Sequence, residues 1–156
     1  MQKRITNDIV QILEYETACM TPRKVLQVNT DDDTSTIIVG EIIFTITKNY
    51  PFQPPIIYIK DQSYIKFVVP QNIHIRRLYD KLLSNCCLWC QSIIHTNNWT
   101  PSNRLFTILL EIEQVNQMKR TIKEILTYRR YVSIICDKYN LPMNRDLQLY
   151  LYDRIL

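Results

Sequence analysis

Five cysteines and two histidines carry most of the nucleophilic and ligating chemistry of this 156-residue chain. Cys86, Cys87 and Cys90 crowd into one short stretch, while Cys19 and Cys136 stand far from it. A thiolate is both a nucleophile and a metal ligand, so the cluster admits covalent acyl transfer, metal binding or redox exchange. Its plainest alternative is three small side chains that fill space in a core. Cys87-Leu88-Trp89-Cys90 has the spacing of half a zinc site, with His95 or His74 to complete it. Such a site normally shows a second Cys-x-x-Cys or a histidine pair; neither occurs, so no metal is expected. A thioredoxin-type redox motif needs a different strand-to-helix context.

The elements that must position these residues are punctuated by proline. Tyr50-Pro51-Phe52-Gln53-Pro54-Pro55 separates two β-rich runs, Glu41 to Thr47 and Ile56 to Ile59. Proline lacks an amide donor, fixes its own φ and drives the preceding residue out of the helical region. The hexapeptide is therefore a stiff, extended connector. Lys24 to Asn29 and Ser35 to Val39 are further strands, rich in β-branched residues. Gly40 marks a tight turn or bulge between Val39 and Glu41. Tyr64 to Val69 reads as another strand candidate, ended by Pro70-Gln71-Asn72.

Helical spacing appears in several places. Ile5, Ile9, Ile12 and Leu13 define an amphipathic helix over 2–16, with Lys3, Arg4, Asp8, Gln11 and Glu14 on its polar face. His74 to Ser84 has Ile75, Leu78, Tyr79, Leu82 and Leu83 on one side. After a loop from Ser84 to Asn98, Trp99-Thr100-Pro101-Ser102 reads as a helix start, with Thr100 or Ser102 as cap and Pro101 in the first position. Leu105, Ile108, Leu109, Ile112 and Val115 continue it to about residue 118. A further helix begins near Lys119, Leu141-Pro142 interrupts it, and Leu147 to Ile155 suggest a last one.

Three landmarks in order, the proline hexapeptide, Cys87-Leu88 and Trp99-Thr100-Pro101, resemble those of the ubiquitin-conjugating (UBC) family, over roughly residues 1–118. The resemblance implies an α+β, UBC-like fold: an N-terminal helix, a four-stranded antiparallel meander, a central helix behind the sheet and, here, extra C-terminal helices, all in a single domain of residues 1–156. It implies that Cys87 carries ubiquitin or a ubiquitin-like protein as a thioester and passes it to a lysine or to a ligase cysteine, with Cys90 as second choice. The reaction needs no cofactor. By the same resemblance an activating enzyme and a ligase contact the first helix at Lys3 and Arg4, the connector at Phe52, and Thr100, Pro101 and Ser102.

The chain departs from the family where the chemistry is done. The family's His-Pro-Asn lies shortly before the cysteine; that position here holds Arg77-Leu78-Tyr79. Gln71-Asn72-Ile73 is a displaced echo of it, which makes Asn72 the candidate oxyanion donor if the chain folds back; the alternative is a turn asparagine. The helix over 74–84 reads as an insertion, and the proline-rich connector before the family's final helices is missing. A catalytically inactive UBC-like or RWD-like scaffold, or an assembly component, is therefore the second expectation.

Composition narrows the rest. With Gly40 as the one glycine, no glycine-rich phosphate loop exists. The net charge of +4 is scattered, which argues against a nucleic-acid partner. No apolar run reaches the roughly 18 residues of a membrane span. Irregularly spaced cysteines suit reduced thiols, and hence a cytoplasmic or nuclear setting. The isoleucine- and tyrosine-rich, glycine-poor composition suggests an AT-rich genome, such as that of a large DNA virus, acting then in host cytoplasm, or of a eukaryotic parasite. Oligomeric state is not legible.

Overall fold

A computed structural model of the chain describes residues 2–18, 25–30, 34–82 and 87–139. The expected strands pair as the sequence alternation requires. β2 (Thr34–Val39) and β3 (Ile42–Thr47) bury alternate residues. Their register sets Ser35 against Ile46, Ile37 against Phe44 and Val39 against Ile42. A one-residue slip would turn each of these side chains outward, so burial and register enforce one another. Gly40 supplies the positive φ (59°) of the two-residue turn between them.

β1 (Val25–Thr30) pairs with β2, and β4 (Ile56–Ile59) pairs with β3. The sheet has five strands rather than four. β5 (Gln62–Ser63) follows β4 through Lys60-Asp61, whose φ values of 49° and 61° make the tight turn. Strand order is β1-β2-β3-β4-β5, antiparallel throughout. The inner face places Ile37, Val39, Ile42, Phe44, Ile46, Ile57 and Ile59 in one core with Ile5 and Ile12 of α1 (Gln2–Ala18). Leu105, Ile108, Leu109, Ile112 and Val115, from the start of α5 (Leu105–Lys138), join the same core.

Several sequence expectations are corrected. Tyr64 to Val69 is not a strand: Tyr64–Val68 forms α2, burying Tyr64 and Val68, four residues apart, on one face. The segment Trp99 to Ser102 does not open a helix. Thr100 and Ser102 bond to each other through their hydroxyls at 2.7 Å, and α5 begins only at Leu105, where Thr107 Oγ1 accepts the Arg104 amide. α5 then runs to Lys138 without the break expected near residue 118. No proline or glycine occurs between Pro101 and Leu141, so nothing stops it. α3 (Ile73–Leu82) agrees with the helix read over 74–84, and α4 (Leu88–Gln91) is a single turn inside the expected loop. The helix expected over 147–155 lies outside the described residues.

The chain forms two compact units, residues 1–115 and residues 116–156. The first holds the sheet, its core and the cysteine-bearing loop. The described part of the second is the distal portion of α5, which buries Ile122, Ile125 and Cys136 and exposes Tyr128, Tyr131, Ile134, Ile135 and Tyr139.

Candidate functional site

Cys87 stands immediately before α4, with its thiol exposed, and Cys90 lies one turn on, also exposed. The Gln91 amide donates to the Cys87 carbonyl at 3.1 Å and closes the turn. Cys87 makes no geometrically complete capping hydrogen bond. Its sulfur still lies within reach of donors that lower its pKa: first the Cys90 amide, then the Cys90 thiol, with smaller effects from the Trp89 amide and the Arg76 charge. Each favours the thiolate. The Cys90 thiol moves the opposite way, because its hydrogen bond to Cys87 holds its proton. The two thiols are thus unequal, with the greater thiolate character at Cys87.

The loop that carries them is pinned on both sides. Asn98 Nδ2 donates to the carbonyls of Cys90 (2.7 Å) and Ser92 (2.9 Å). Glu111 of α5 accepts the Ile93 amide at 2.9 Å with one oxygen and the Tyr64 hydroxyl at 2.6 Å with the other. Trp89 meets the His95 ring edge-on at 5.5 Å and Tyr64 at 6.5 Å. His95 Nδ1 accepts the Asn97 amide, which commits it to the loop. Among the described residues no three His, Cys, Asp or Glu side chains gather as metal ligands. The His74 side chain and Cys86 lie outside what is described.

Asn72 caps α3. Its Oδ1 accepts the Ile75 amide at 3.3 Å, and its carbonyl accepts the Arg76 amide at 2.9 Å. This is the turn role, and it is Arg76, on the first turn of α3, whose charge acts on Cys87. The stretch read as an insertion therefore contributes a positive charge to the Cys87 thiol.

The residues expected to meet partners form a second cluster. The Trp99 indole donates to the Pro51 carbonyl at 2.8 Å, and the Tyr50 ring lies 6.2 Å from Trp99. Pro54 is half-buried and Pro55 buried, whereas Phe52 is 78% exposed. Thr100, Pro101 and Ser102 are exposed, as is Lys3. Arg4 is different. Its guanidinium donates to the carbonyls of Pro101 (3.0 Å) and Asn103 (2.8 Å) and approaches Asp8 at 3.5 Å, an ion pair without hydrogen-bond alignment. Arg4 thus ties α1 to the segment after Trp99.

Asp8 is fully buried, against the expectation that it faces solvent. It accepts the Tyr50 hydroxyl at 2.5 Å and pairs with Arg104 at 3.3 Å. Burial, and then Asp8, push the Tyr50 hydroxyl well above its usual pKa, so it remains a donor. Sequence reasoning missed Asp8, Asn98, Glu111 and Arg76. Two carried a signal: Asp8 falls in line with Ile5 and Ile12 at helical spacing, and Glu111 sits within an otherwise apolar stretch of α5.

No helix among the described residues is long and apolar enough to cross a membrane. No family model, no curated protein and no solved structure matches the chain.

Proposed function

We propose that the chain is a divergent ubiquitin-conjugating-type carrier whose nucleophile is Cys87. The observation that carries this reading is an exposed thiol, biased toward thiolate, on a loop pinned by Asn98 and Glu111. The Pro51–Trp99 bond and the antiparallel sheet are consistent with the resemblance. In the reaction, the Cys87 thiolate attacks the modifier's carboxyl carbon, held as a thioester on the activating enzyme. A tetrahedral oxyanion forms and collapses, expelling that enzyme's thiolate. A lysine amine or a ligase cysteine then attacks the Cys87 thioester and releases the thiolate again. Because Asn72 caps α3, the Trp89 and Cys90 amides are the better candidates for oxyanion donors.

Thioester charging tests the proposal. The chain is mixed with ATP, activating enzyme and ubiquitin or a ubiquitin-like protein, and run on gels with and without reductant. The expected result is a reductant-sensitive adduct that Cys87→Ser abolishes and Cys90→Ser retains. No adduct with any modifier, from folded protein, sinks the enzyme reading.

A second reading, the inactive UBC-like or RWD-like scaffold, is favoured by two apolar features, one exposed and one partly buried. Phe52 projects from the connector. On the outer face of the sheet, Ile38, Ile43 and Tyr58 stand side by side across β2, β3 and β4. Under that reading, Phe52→Ala abolishes partner binding while Cys87→Ser leaves it intact.

A further inference from the structure

The proposed carrier chemistry gives Cys90 no role, yet Cys90 is the group placed nearest in function to the Cys87 sulfur. Cys87 is the extended cap of α4, and its carbonyl closes the first turn; around such a turn the cap and the third helical residue have α-carbons about 5–6 Å apart, inside the roughly 4.4–6.8 Å span that a disulfide bridges. Both thiols are exposed and belong to the same turn, Cys87 capping α4 and Cys90 lying within it. The Gln91–Cys87 backbone bond closes the turn, and Asn98 holds the Cys90 carbonyl. Sulfur contact therefore needs little movement of the chain.

We infer that Cys87 and Cys90 form a thiol–disulfide exchange site for small disulfides of the glutathione class, Cys87 attacking and Cys90 resolving. The Cys87 thiolate attacks one sulfur of the small disulfide; that S–S bond breaks and one thiolate departs, leaving a mixed disulfide on Cys87. Cys90 loses its proton to the departed thiolate and attacks the Cys87 sulfur. The intramolecular S–S bond forms and the second thiolate leaves, taking a proton from water. Two electrons pass from the dithiol to the small disulfide, which becomes two thiols. Exchange of this kind is governed by the acidity and access of the attacking thiol and by the proximity of the resolving one. The site does not depend on acyl transfer, but the two compete for Cys87: the disulfide form has no thiolate to charge.

The test uses the full chain, reduced and then exposed to oxidised glutathione without activating enzyme or ubiquitin. Remaining thiols are alkylated at timed intervals and the peptides mapped by mass spectrometry. A Cys87–Cys90 bond is expected, formed about tenfold faster than any adduct on buried Cys136. Cys90→Ser and Cys90→Ala both accumulate glutathione on Cys87, and Cys87→Ser forms no intramolecular bond, its exposed Cys90 taking at most a glutathione adduct. Linkage through Cys86, equal reaction at every cysteine, or no adduct on Cys87 in Cys90→Ser overturns the inference. Exchange without charging sinks the carrier reading alone; charging without exchange sinks the dithiol site alone.

Discussion

The indole N–H of Trp99 reaches back 48 residues to donate to the carbonyl of Pro51 at 2.8 Å. This bond joins the segment ahead of α5 to the proline connector, whose prolines have few donors of their own. Trp99→Phe keeps an aromatic ring but loses the donor and leaves a part-buried carbonyl unpaired. It is expected to lower unfolding free energy by about 2 kcal/mol in urea titrations. A loss below about 0.5 kcal/mol would show that the connector is held by packing alone.

Asp8 makes the complementary tie. Asp8→Ala leaves Arg4 and Arg104 without their buried carboxylate and strands the Tyr50 hydroxyl, so a loss of about 3 kcal/mol is expected. Tyr50→Phe removes one hydrogen bond to a charged acceptor, with a loss of about 2 kcal/mol. The pH dependence follows from the raised Tyr50 pKa. The unfolded phenol ionises near 10.0 while the folded one keeps its proton. Its contribution is therefore complete below pH 10 and declines as pH rises further. Alkaline unfolding curves of Tyr50→Phe are expected to be flatter above pH 10.

Alkylation by iodoacetamide reads the thiol pair directly. Cys87 is expected to reach half-maximal rate below the pH of an ordinary thiol, and Cys90 above it. Asn98→Ala releases the Cys90 and Ser92 carbonyls and loosens the turn. Its Cys87 profile is expected to move upward in pH while the far-ultraviolet circular dichroism stays unchanged. An unmoved profile would remove Asn98 as a positioning residue.

Lys119, half-buried on α5, has its pKa lowered to about 8 by burial, against an ordinary 10.5. Its amine is expected to react with an acylating ester in a profile that levels off near pH 8. The sign for stability is opposite to that of Tyr50. Between pH 8 and 10.5 the unfolded chain holds this proton and the folded one does not, so the Lys119 contribution rises with pH.

The β4–β5 turn offers a stabilising change. Lys60 and Asp61 both occupy positive φ, where a side chain costs about 1 kcal/mol that asparagine and glycine avoid. Replacing the pair by Asn-Gly is expected to raise stability by about 1 kcal/mol by chemical denaturation. The lost Lys60–Glu41 pair subtracts little, because both side chains are about two-thirds exposed (68% and 67%).

Alternation made β2 and β3 legible, and the prolines made the connector legible, because both are local constraints. α2 was not legible: Tyr64-Ile65-Lys66-Phe67-Val68 suits either period, and only burial of Tyr64 and Val68 in the common core selects the helix. The start of α5 was misplaced because Thr100 and Ser102 satisfy each other, while the less familiar Arg104–Thr107 pair begins the helix. Cys87 was singled out as a candidate from its neighbours in sequence. Arg76 acts on its loop from α3 and Asn98 from the loop's far end, and polar residues of ordinary type give no local sign of such reach.

Phe52 stands on backbone that prolines have already stripped of freedom, with the flanking Tyr50 and Pro55 buried. A partner closing over the ring would gain its apolar area without first ordering the segment that presents it. Calorimetry would then record a negative heat-capacity change with only a small conformational entropy loss on this side of the complex.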